Sequence, residues 1–202
     1  DELKDYYGGG TLATKGVKTA GNETYEPPFR GTIAISQNAA VVAHEAIMTR
    51  IVKLHFIRPT VTPQSRAAAD KLNALDGGTL SHVLIRAVGK ESVVLELFAQ
   101  RMPEYESKLR RLHTHCFDCG TEFPSEQGNC RSCGSDLRGY IRVERISKNH
   151  AQLLSLLDAL RLVLKLDEPQ VAATQRQIVR MAIERQASIS SDHPAVAEFW
   201  EV

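Results

Sequence analysis

Four cysteines constrain this chain more than any other feature of its sequence. They form two Cys-x-x-Cys pairs, Cys116 with Cys119 and Cys130 with Cys133, and the 202 residues contain no others. Each pair predicts a knuckle, a turn whose first cysteine supplies a thiolate and whose following backbone N–H groups point at the sulfur. Two knuckles at this spacing let four thiolates meet in tetrahedral geometry around one Zn²⁺ ion.

The residues around the two pairs favour a structural metal. Gly120 and Gly134 directly follow the second cysteine of each pair, where a positive φ is often needed and glycine adopts it without steric cost. His113 and His115 are close enough to replace a cysteine, but four thiolates already complete the shell. A hydrolytic zinc site leaves one coordination position open, so this site is predicted to be structural.

Three other kinds of site use paired cysteines, and each fits this sequence less well. A redox-active Cys-x-x-Cys usually occurs once, at the start of a helix. Two disulfides would require an oxidising compartment, and iron–sulfur clusters usually have other cysteine spacings. Zinc is therefore the predicted cofactor.

Charge balance and hydropathy exclude several classes of protein. Lys and Arg number 25 against 24 Asp and Glu, so no overall basic field exists and any contact with nucleic acid must be local. No stretch approaches the roughly 18 uninterrupted apolar residues of a membrane span, and the polar N-terminus lacks the apolar core of a signal peptide. These features predict a soluble, cytoplasmic protein with no membrane partner.

Hydrophobic periodicity predicts a mainly α fold with a small β component. Residues 1–29 have no apolar period and are expected to form a long loop. Short strands are expected at 33–35, 51–57 and 140–143. In the first half of the chain, helices are expected at 39–50, from a cap at Ser65 to 75, from Thr79 or Ser81 to Arg101, and from Pro103 onward. In the second half they are expected at 148–166, at 168–187, and from 192 onward, where the last helix carries Phe199 and Trp200.

A local excess of positive charge surrounds the cysteines. Between positions 108 and 148 there are eight Lys or Arg residues against five acids. Beside Phe117 and Tyr140, this excess is compatible with phosphate contacts and base stacking, and solvated charge explains it equally well. The candidate nucleic-acid contacts are Lys108, Arg110, Arg111, Arg131, Arg138 and Arg142.

The first fifty or so residues resemble the second half of an AAA+ ATPase core, as found in helicases of viruses and mobile elements. In that family a Walker B strand ends in Asp-Glu, the next strand ends in a polar sensor, and an arginine follows a helix. Asp1 and Glu2 match the Walker B acids. Asn38, or its neighbour Gln37, matches the sensor, and Arg50 matches the arginine.

This resemblance implies a catalytic role for each matching residue. The carboxylates of Asp1 and Glu2 would hold Mg²⁺ and polarise water, and the Asn38 amide would orient that water. Arg50 would neutralise charge on the γ-phosphate of ATP bound to a neighbouring subunit. Ordinary structural roles remain open for the same residues, because an asparagine after a strand is often in a turn and an arginine at a helix end interacts with the helix dipole.

Two longer stretches, FRGTIAISQNA and RQASISSDHPAVAEFWE, resemble the C-terminal region of primase–helicases carried by mobile elements and phages. The resemblance implies a part in DNA replication, with DNA as the partner (single-stranded in preference), a homo-oligomeric ring and a missing N-terminal ATPase half. The sequence has no G-x-x-x-x-G-K-[ST] phosphate loop. The chain is therefore expected to be a fragment that uses ATP and Mg²⁺ only within a longer protein.

The same resemblance predicts four regions. They are a partial ATPase-core-like segment at 1–62, a helical lid-like region at 63–112, a zinc ribbon at 113–144 and a C-terminal helical region at 145–202. Two alternatives have no enzymatic part: a zinc-ribbon module that binds nucleic acid or protein, and a small zinc-stabilised structural subunit.

Overall fold

The computed structural model describes residues 15–16, 24–25, 31–38, 41, 45–56, 60–123 and 129–190. The chain divides into two units, Asp1–Ile51 and Val52–Val202. Helices account for most of the described residues, so the predicted mainly α class is confirmed.

In its described residues, the first unit contains three short elements. Strand β1 (Lys15–Gly16) pairs antiparallel with β2 (Thr24–Tyr25), with Lys15 opposite Tyr25. This pair lies inside the stretch that was predicted to be a loop. Helix α1 (Glu45–Met48) is a single turn within the helix predicted at 39–50.

The strands predicted at 33–35 and 51–57 are wrong wherever the structure describes them. Residues 31–38 and 51–56 have irregular backbone, and Ile35 and Phe56 are 68% and 86% exposed. A strand needs a neighbouring strand to satisfy its N–H and C=O groups. Local alternation of apolar residues cannot reveal whether such a neighbour exists, which is why the pattern misled.

The second unit contains five helices in its described residues. They are α2 (Pro63–Asn73), α3 (Gly77–Val88), α4 (Glu91–Arg110), α5 (Glu144–Val163) and α6 (Glu168–Ser190). The segment between α4 and α5 contains all four cysteines.

Side-chain caps fix where α2 and α3 begin. Thr62, not Ser65, caps α2: the Ser65 N–H donates to Thr62 Oγ1 at 3.1 Å, and the Thr62 N–H donates to Ser65 Oγ at 2.9 Å. The predicted start is therefore wrong by about one helical turn, because Ser65 is the third residue of the helix, where its side chain completes a capping box with Thr62. Asp76 caps α3, and hydrogen bonds from the Thr79 hydroxyl and N–H lower the pKa of Asp76.

The helix start predicted at Pro103 is also wrong. Helix α4 runs without interruption from Glu91 to Arg110 and contains Pro103; the preceding break lies near Gly89, the C-cap of α3. An internal proline removes one backbone hydrogen bond and strains the helix. Burial of Tyr105 and Leu109 in the turns after Pro103 offsets that local cost.

The core lies between the second half of α4, α5 and α6. Apolar side chains from all three helices meet there, and Phe117, Leu137 and Ile141 join them from the cysteine segment. The helical members of this cluster are Tyr105, Leu109, Ile146, Ala151, Leu154, Leu157, Val171, Ile178, Val179 and Ala182.

A hydrogen-bonded tyrosine joins the three core helices. The Tyr105 hydroxyl on α4 donates to Asp158 Oδ2 on α5 at 2.8 Å and accepts from Gln175 Nε2 on α6 at 3.1 Å. Burial and the bond to Asp158 raise the pKa of Tyr105. The hydroxyl therefore stays protonated at neutral pH and remains a donor to the carboxylate.

Helices α2 and α3 contribute little to this core. All residues of both helices are described, and none is buried. Large apolar side chains are exposed along this stretch and at the start of α4, including Leu72, Leu80, Leu84, Ile85, Val88, Val93 and Leu95. Among the described residues, no helix has the length and apolar content needed to cross a membrane.

His150 makes the core sensitive to acid. Its ring is 3% exposed, and Nδ1 lies 2.8 Å from the Ile146 carbonyl oxygen, so the neutral ring carries its proton on Nδ1. Burial lowers the pKa of His150 despite the hydrogen bond to Ile146. Between that lowered pKa and the value of about 6.5 in the unfolded chain, the unfolded state binds more protons, so stability rises with pH in this window.

We therefore expect the free energy of unfolding to fall as pH drops below about 6.5. In His150→Gln, whose side chain does not titrate, this part of the pH dependence should be lost. Urea unfolding at about pH 7.5 and about pH 5.5 measures the difference in unfolding free energy between the two pH values. The matched control is His82→Gln on α3, because His82 is exposed; an equal loss of pH dependence in both variants would contradict the assignment to His150.

Candidate metal centre

The two cysteine pairs fold into turns with the same backbone hydrogen bonds. In the first turn the Cys116 N–H donates to the Thr121 carbonyl at 2.9 Å, and the Gly120 N–H donates to the Cys116 carbonyl at 2.9 Å. In the second turn the Cys130 N–H donates to the Ser135 carbonyl at 2.8 Å, and Gly134 N–H donates to the Cys130 carbonyl at 2.7 Å. The predicted knuckles are present as a repeated pair.

The glycine after each pair adopts the predicted conformation. Gly120 has φ of 74° and Gly134 has φ of 72°. An L side chain at this φ brings Cβ close to the following carbonyl, which costs about 1–2 kcal/mol. The expectation of a positive φ at both positions is confirmed.

The four Sγ atoms converge on one site. All lie within 4.8 Å of one another, and two pairs, Cys116 with Cys133 and Cys119 with Cys130, are 3.5 Å apart. A disulfide requires about 2.05 Å, and all four cysteines are free thiols in this structure. The arrangement could hold a metal ion.

Each knuckle places one cysteine inside and one outside. Cys116 and Cys130 are each 3% exposed, whereas Cys119 and Cys133 are exposed. The site therefore lies at the edge of the core, with one side open to solvent.

Local groups perturb the thiols in opposite directions. The Thr121 hydroxyl, 3.2 Å from Cys119 Sγ, and the Thr121 N–H lower the pKa of Cys119 to about 6. Burial raises the pKa of Cys116. The Ser135 N–H lowers the pKa of Cys133, but burial and the neighbouring thiols outweigh it and raise that pKa to about 12. Four adjacent thiols resist ionising together unless a cation is present.

Both knuckles are attached to helix α6 by ion pairs. Asp118 lies in the first knuckle and Asp136 follows the second; Arg176 Nη2 is 3.2 Å from Asp118, and Arg180 Nη2 is 2.9 Å from Asp136. The hydrogen bond from Arg180 lowers the pKa of Asp136. Arg176 and Arg180 are one helical turn apart, so one face of α6 spans both knuckles.

The strand predicted at 140–143 is wrong, and α6 supplies the reason. This segment is irregular, and the N–H groups of Arg142 and Val143 donate to Gln186 Oε1 at 2.9 and 3.0 Å. A side chain of α6 thus takes the place of a neighbouring strand. Alternation of buried Ile141 with exposed Tyr140 and Arg142 reflects an extended segment packed on a helix.

The predicted basic residues divide into different environments. Lys108 Nζ lies 5.6 Å from the centre of the Phe117 ring. Arg110 pairs with Glu106 at 3.1 Å and with Glu144 at 3.7 Å. Arg111, at the C-cap of α4, and Arg131, inside the second knuckle, are exposed.

Two arginines lie over aromatic rings of the segment that joins α4 to α5, residues 111–143, here named the cysteine module. The guanidinium carbon of Arg142 is 4.8 Å from the centre of the Tyr140 ring. That of Arg138 is 4.3 Å from the centre of the Phe123 ring. The structure thus combines the predicted charges with aromatic surface.

The residues predicted to act in ATP hydrolysis are only partly described by the structure. Asp1 and Glu2 lie outside the described residues. Asn38 is exposed at the end of an irregular segment, because the strand predicted to carry it is absent. Arg50 is partly buried and lies two residues after the end of α1, with its N–H donating to the Ile47 carbonyl at 2.9 Å. Their catalytic roles stay predictions.

Sequence reasoning missed the residues that position the cysteine module. Arg176, Arg180 and Gln186 were assigned only to a periodic helix, and Thr121 was assigned no role. The spacing of Arg176 and Arg180 was visible, but nothing local links them to acids more than 40 positions away. No protein-family model, curated protein or solved structure matches this chain, so its family also stays a prediction.

Gly134→Ala should lower the free energy of unfolding by about 1–2 kcal/mol, the cost of a positive φ for an L residue. A Cβ there would meet no atom within 4 Å, so the loss would come from the backbone alone. Gly77→Ala is the matched control, since its Cβ also has open space and its φ is not positive. Chemical unfolding gives the unfolding free energies of the two variants. Equal stability of Gly134→Ala and Gly77→Ala would contradict a cost of positive φ at Gly134.

Proposed function

We propose that the four cysteines hold one structural Zn²⁺ ion, and that the module it stabilises contacts nucleic acid. The observation that carries the metal proposal is the convergence of four thiols from two matching knuckles. Zinc coordinated by four sulfurs at about 2.3 Å needs sulfur pairs about 3.8 Å apart. The two distances of 3.5 Å between cysteine sulfurs are close to that edge length.

A structural role suits the ligand set and its position. Four protein ligands complete a tetrahedral shell and leave no place for a reacting water. Phe117 follows the first ligand directly, and Leu137 comes shortly after the last; both are buried in the core. Holding the knuckles together would therefore also hold two core side chains in place.

Contact with nucleic acid is supported by the distribution of charge around the metal site. The acids Asp118 and Asp136 are paired with arginines of α6, and Glu144 is paired with Lys148. Arg111, Arg131 and Arg142 are exposed. Because the cations that pair with Asp118 and Asp136 come from α6, the exposed arginines near the cysteines keep positive charge that phosphates can approach.

Protein purified without chelators should contain about one Zn²⁺ per chain by metal analysis. Cys116→Ser should lower the zinc content and the unfolding free energy, because a buried ligand is lost. Ser132→Ala is the matched control, as Ser132 is an exposed residue within the second knuckle, and it should keep its zinc. Metal content near zero in the wild-type protein would sink the proposal.

The larger assignment, a C-terminal part of a primase–helicase-like ATPase, is supported by the sequence motifs and by one surface. Helix α3 exposes Leu84, Ile85 and Val88, and exposed apolar surface of this kind is typical of a face that another domain or subunit covers. A chain that works within a longer, oligomeric protein would have such faces.

In that longer protein, Arg50→Ala should abolish DNA-stimulated ATP hydrolysis and leave nucleotide binding intact, since the arginine would act on the γ-phosphate. Steady-state turnover and nucleotide affinity are measured together. Lys53→Ala, a nearby exposed cation, serves as the control. Unchanged turnover in Arg50→Ala would remove Arg50 from the mechanism.

A further inference from the structure

Two aromatic rings of the cysteine module each carry a guanidinium group. Arg142 lies over Tyr140 and Arg138 lies over Phe123, at 4.8 and 4.3 Å from the ring centres. Tyr140 is 51% exposed, and Phe123 is partly exposed. Both rings therefore keep surface that a ligand can reach.

The two ring–arginine pairs are linked through the neighbouring residues His113 and Thr114. The His113 ring packs edge-on against Tyr140, with centres 4.6 Å apart. One residue further along, the Thr114 carbonyl accepts a hydrogen bond of 2.7 Å from the Phe123 N–H. These contacts link five residues, here named the aromatic–basic strip: Arg142, Tyr140, His113, Phe123 and Arg138.

Two acids close to the cysteines are engaged by helix α6. Asp118 and Asp136 pair with Arg176 and Arg180 of α6, and in the strip Arg142 and Arg138 each lie over a ring. Ring faces attract bases, and guanidinium groups attract phosphates and also stack on bases. The strip therefore combines the two chemistries that a nucleic acid with unpaired bases requires.

We propose that the aromatic–basic strip is a binding site for single-stranded nucleic acid. Bases stack on Tyr140 and Phe123, and Arg142 and Arg138 contact the phosphates beside them. The inference rests on the nucleic-acid contact proposed above and specifies its form. Single strands are favoured over duplexes because the base faces of a duplex are already covered by neighbouring bases.

The test measures binding of the 202-residue chain to fluorescein-labelled oligothymidine, oligouridine and a duplex by anisotropy over a range of salt concentrations. Tyr140→Leu should weaken binding to the single strands about tenfold while the salt dependence is kept, because stacking and not charge is lost. Tyr140→Phe should bind the single strands as tightly as the wild-type chain, because the ring is kept. Equal affinity for oligothymidine and oligouridine supports a site that reads bases and phosphates, and a preference for one identifies DNA or RNA as the ligand.

Charge is tested separately. Arg142→Ala should reduce the slope of log affinity against log salt by about one phosphate contact. Arg161→Ala removes the same charge from α5, where Arg161 pairs with Glu168, and should change affinity by less than about twofold, since distant surface charges are screened.

The outcomes separate the two proposals. If the wild-type chain binds none of the three nucleic acids, the proposed nucleic-acid contact falls and the strip falls with it. If it binds but Tyr140→Leu binds equally well, or if the duplex binds as tightly as the single strands, the strip is overturned while the basic contact stands. Competition by polyglutamate as effective as by oligothymidine would mark a surface for acidic proteins instead.

Wild-type protein provides a measurement that needs no variant. Oligothymidine carrying 5-iodouracil is crosslinked by light to the chain, and the adduct is located by mass spectrometry. An adduct on Tyr140 or Phe123 supports the proposal even if Tyr140→Leu fails to fold. Adducts confined to residues outside the strip would overturn it.

Discussion

The convergence of four thiols is the constraint on which the described second unit depends. The segment between α4 and α5 contains no helix in its described residues, and its regular structure there is limited to the two knuckles and one β-bridge, His115 with Glu122. Such a segment cannot hold its place by backbone hydrogen bonding alone. The proposed Zn²⁺ would fix the two knuckles against each other, and each knuckle is followed closely by an apolar side chain, Phe117 or Leu137, in the core.

Helix α6 extends that constraint to the rest of the fold. Its arginines pair with one acid at each knuckle, and Gln186 accepts two backbone hydrogen bonds from the chain that leads into α5. Exposed ion pairs contribute about 0–1 kcal/mol each, so they serve alignment more than stability. Apolar contacts of Val179 and Ala182, both fully buried, supply the larger part of the attachment.

The arrangement of charge follows from the same docking. By pairing with Asp118 and Asp136, α6 neutralises acids that would otherwise oppose the arginines of the module. Arg138 and Arg142 lie over rings. The contacts that attach α6 therefore also affect the electrostatics near the aromatic–basic strip, which connects the stability of the cysteine module to its proposed binding role.

Local features were predictable because they depend on a few neighbouring residues. The spacing of the cysteines predicted two knuckles, the glycines after them predicted positive φ, and apolar periodicity predicted the helices that became α5 and α6. The helix boundaries were less predictable. Thr62, and not Ser65, is the cap of α2. Helix α4 continues through Pro103, because burial of Tyr105 and Leu109 outweighs the strain that the proline imposes. The strands at 33–35, 51–57 and 140–143 failed because a strand is defined by its partner, which short alternating patterns do not specify.

The sequence by itself determined which atoms could meet over short distances along the chain: four sulfurs, the N–H groups that face them and the turns that carry them. Only the tertiary structure decided what those turns rest on. Arg142 and Gln186 are 44 positions apart, as are Asp136 and Arg180. Contacts across that separation arise when burial of apolar surface brings whole helices together, and no local pattern encodes which polar groups will then face each other.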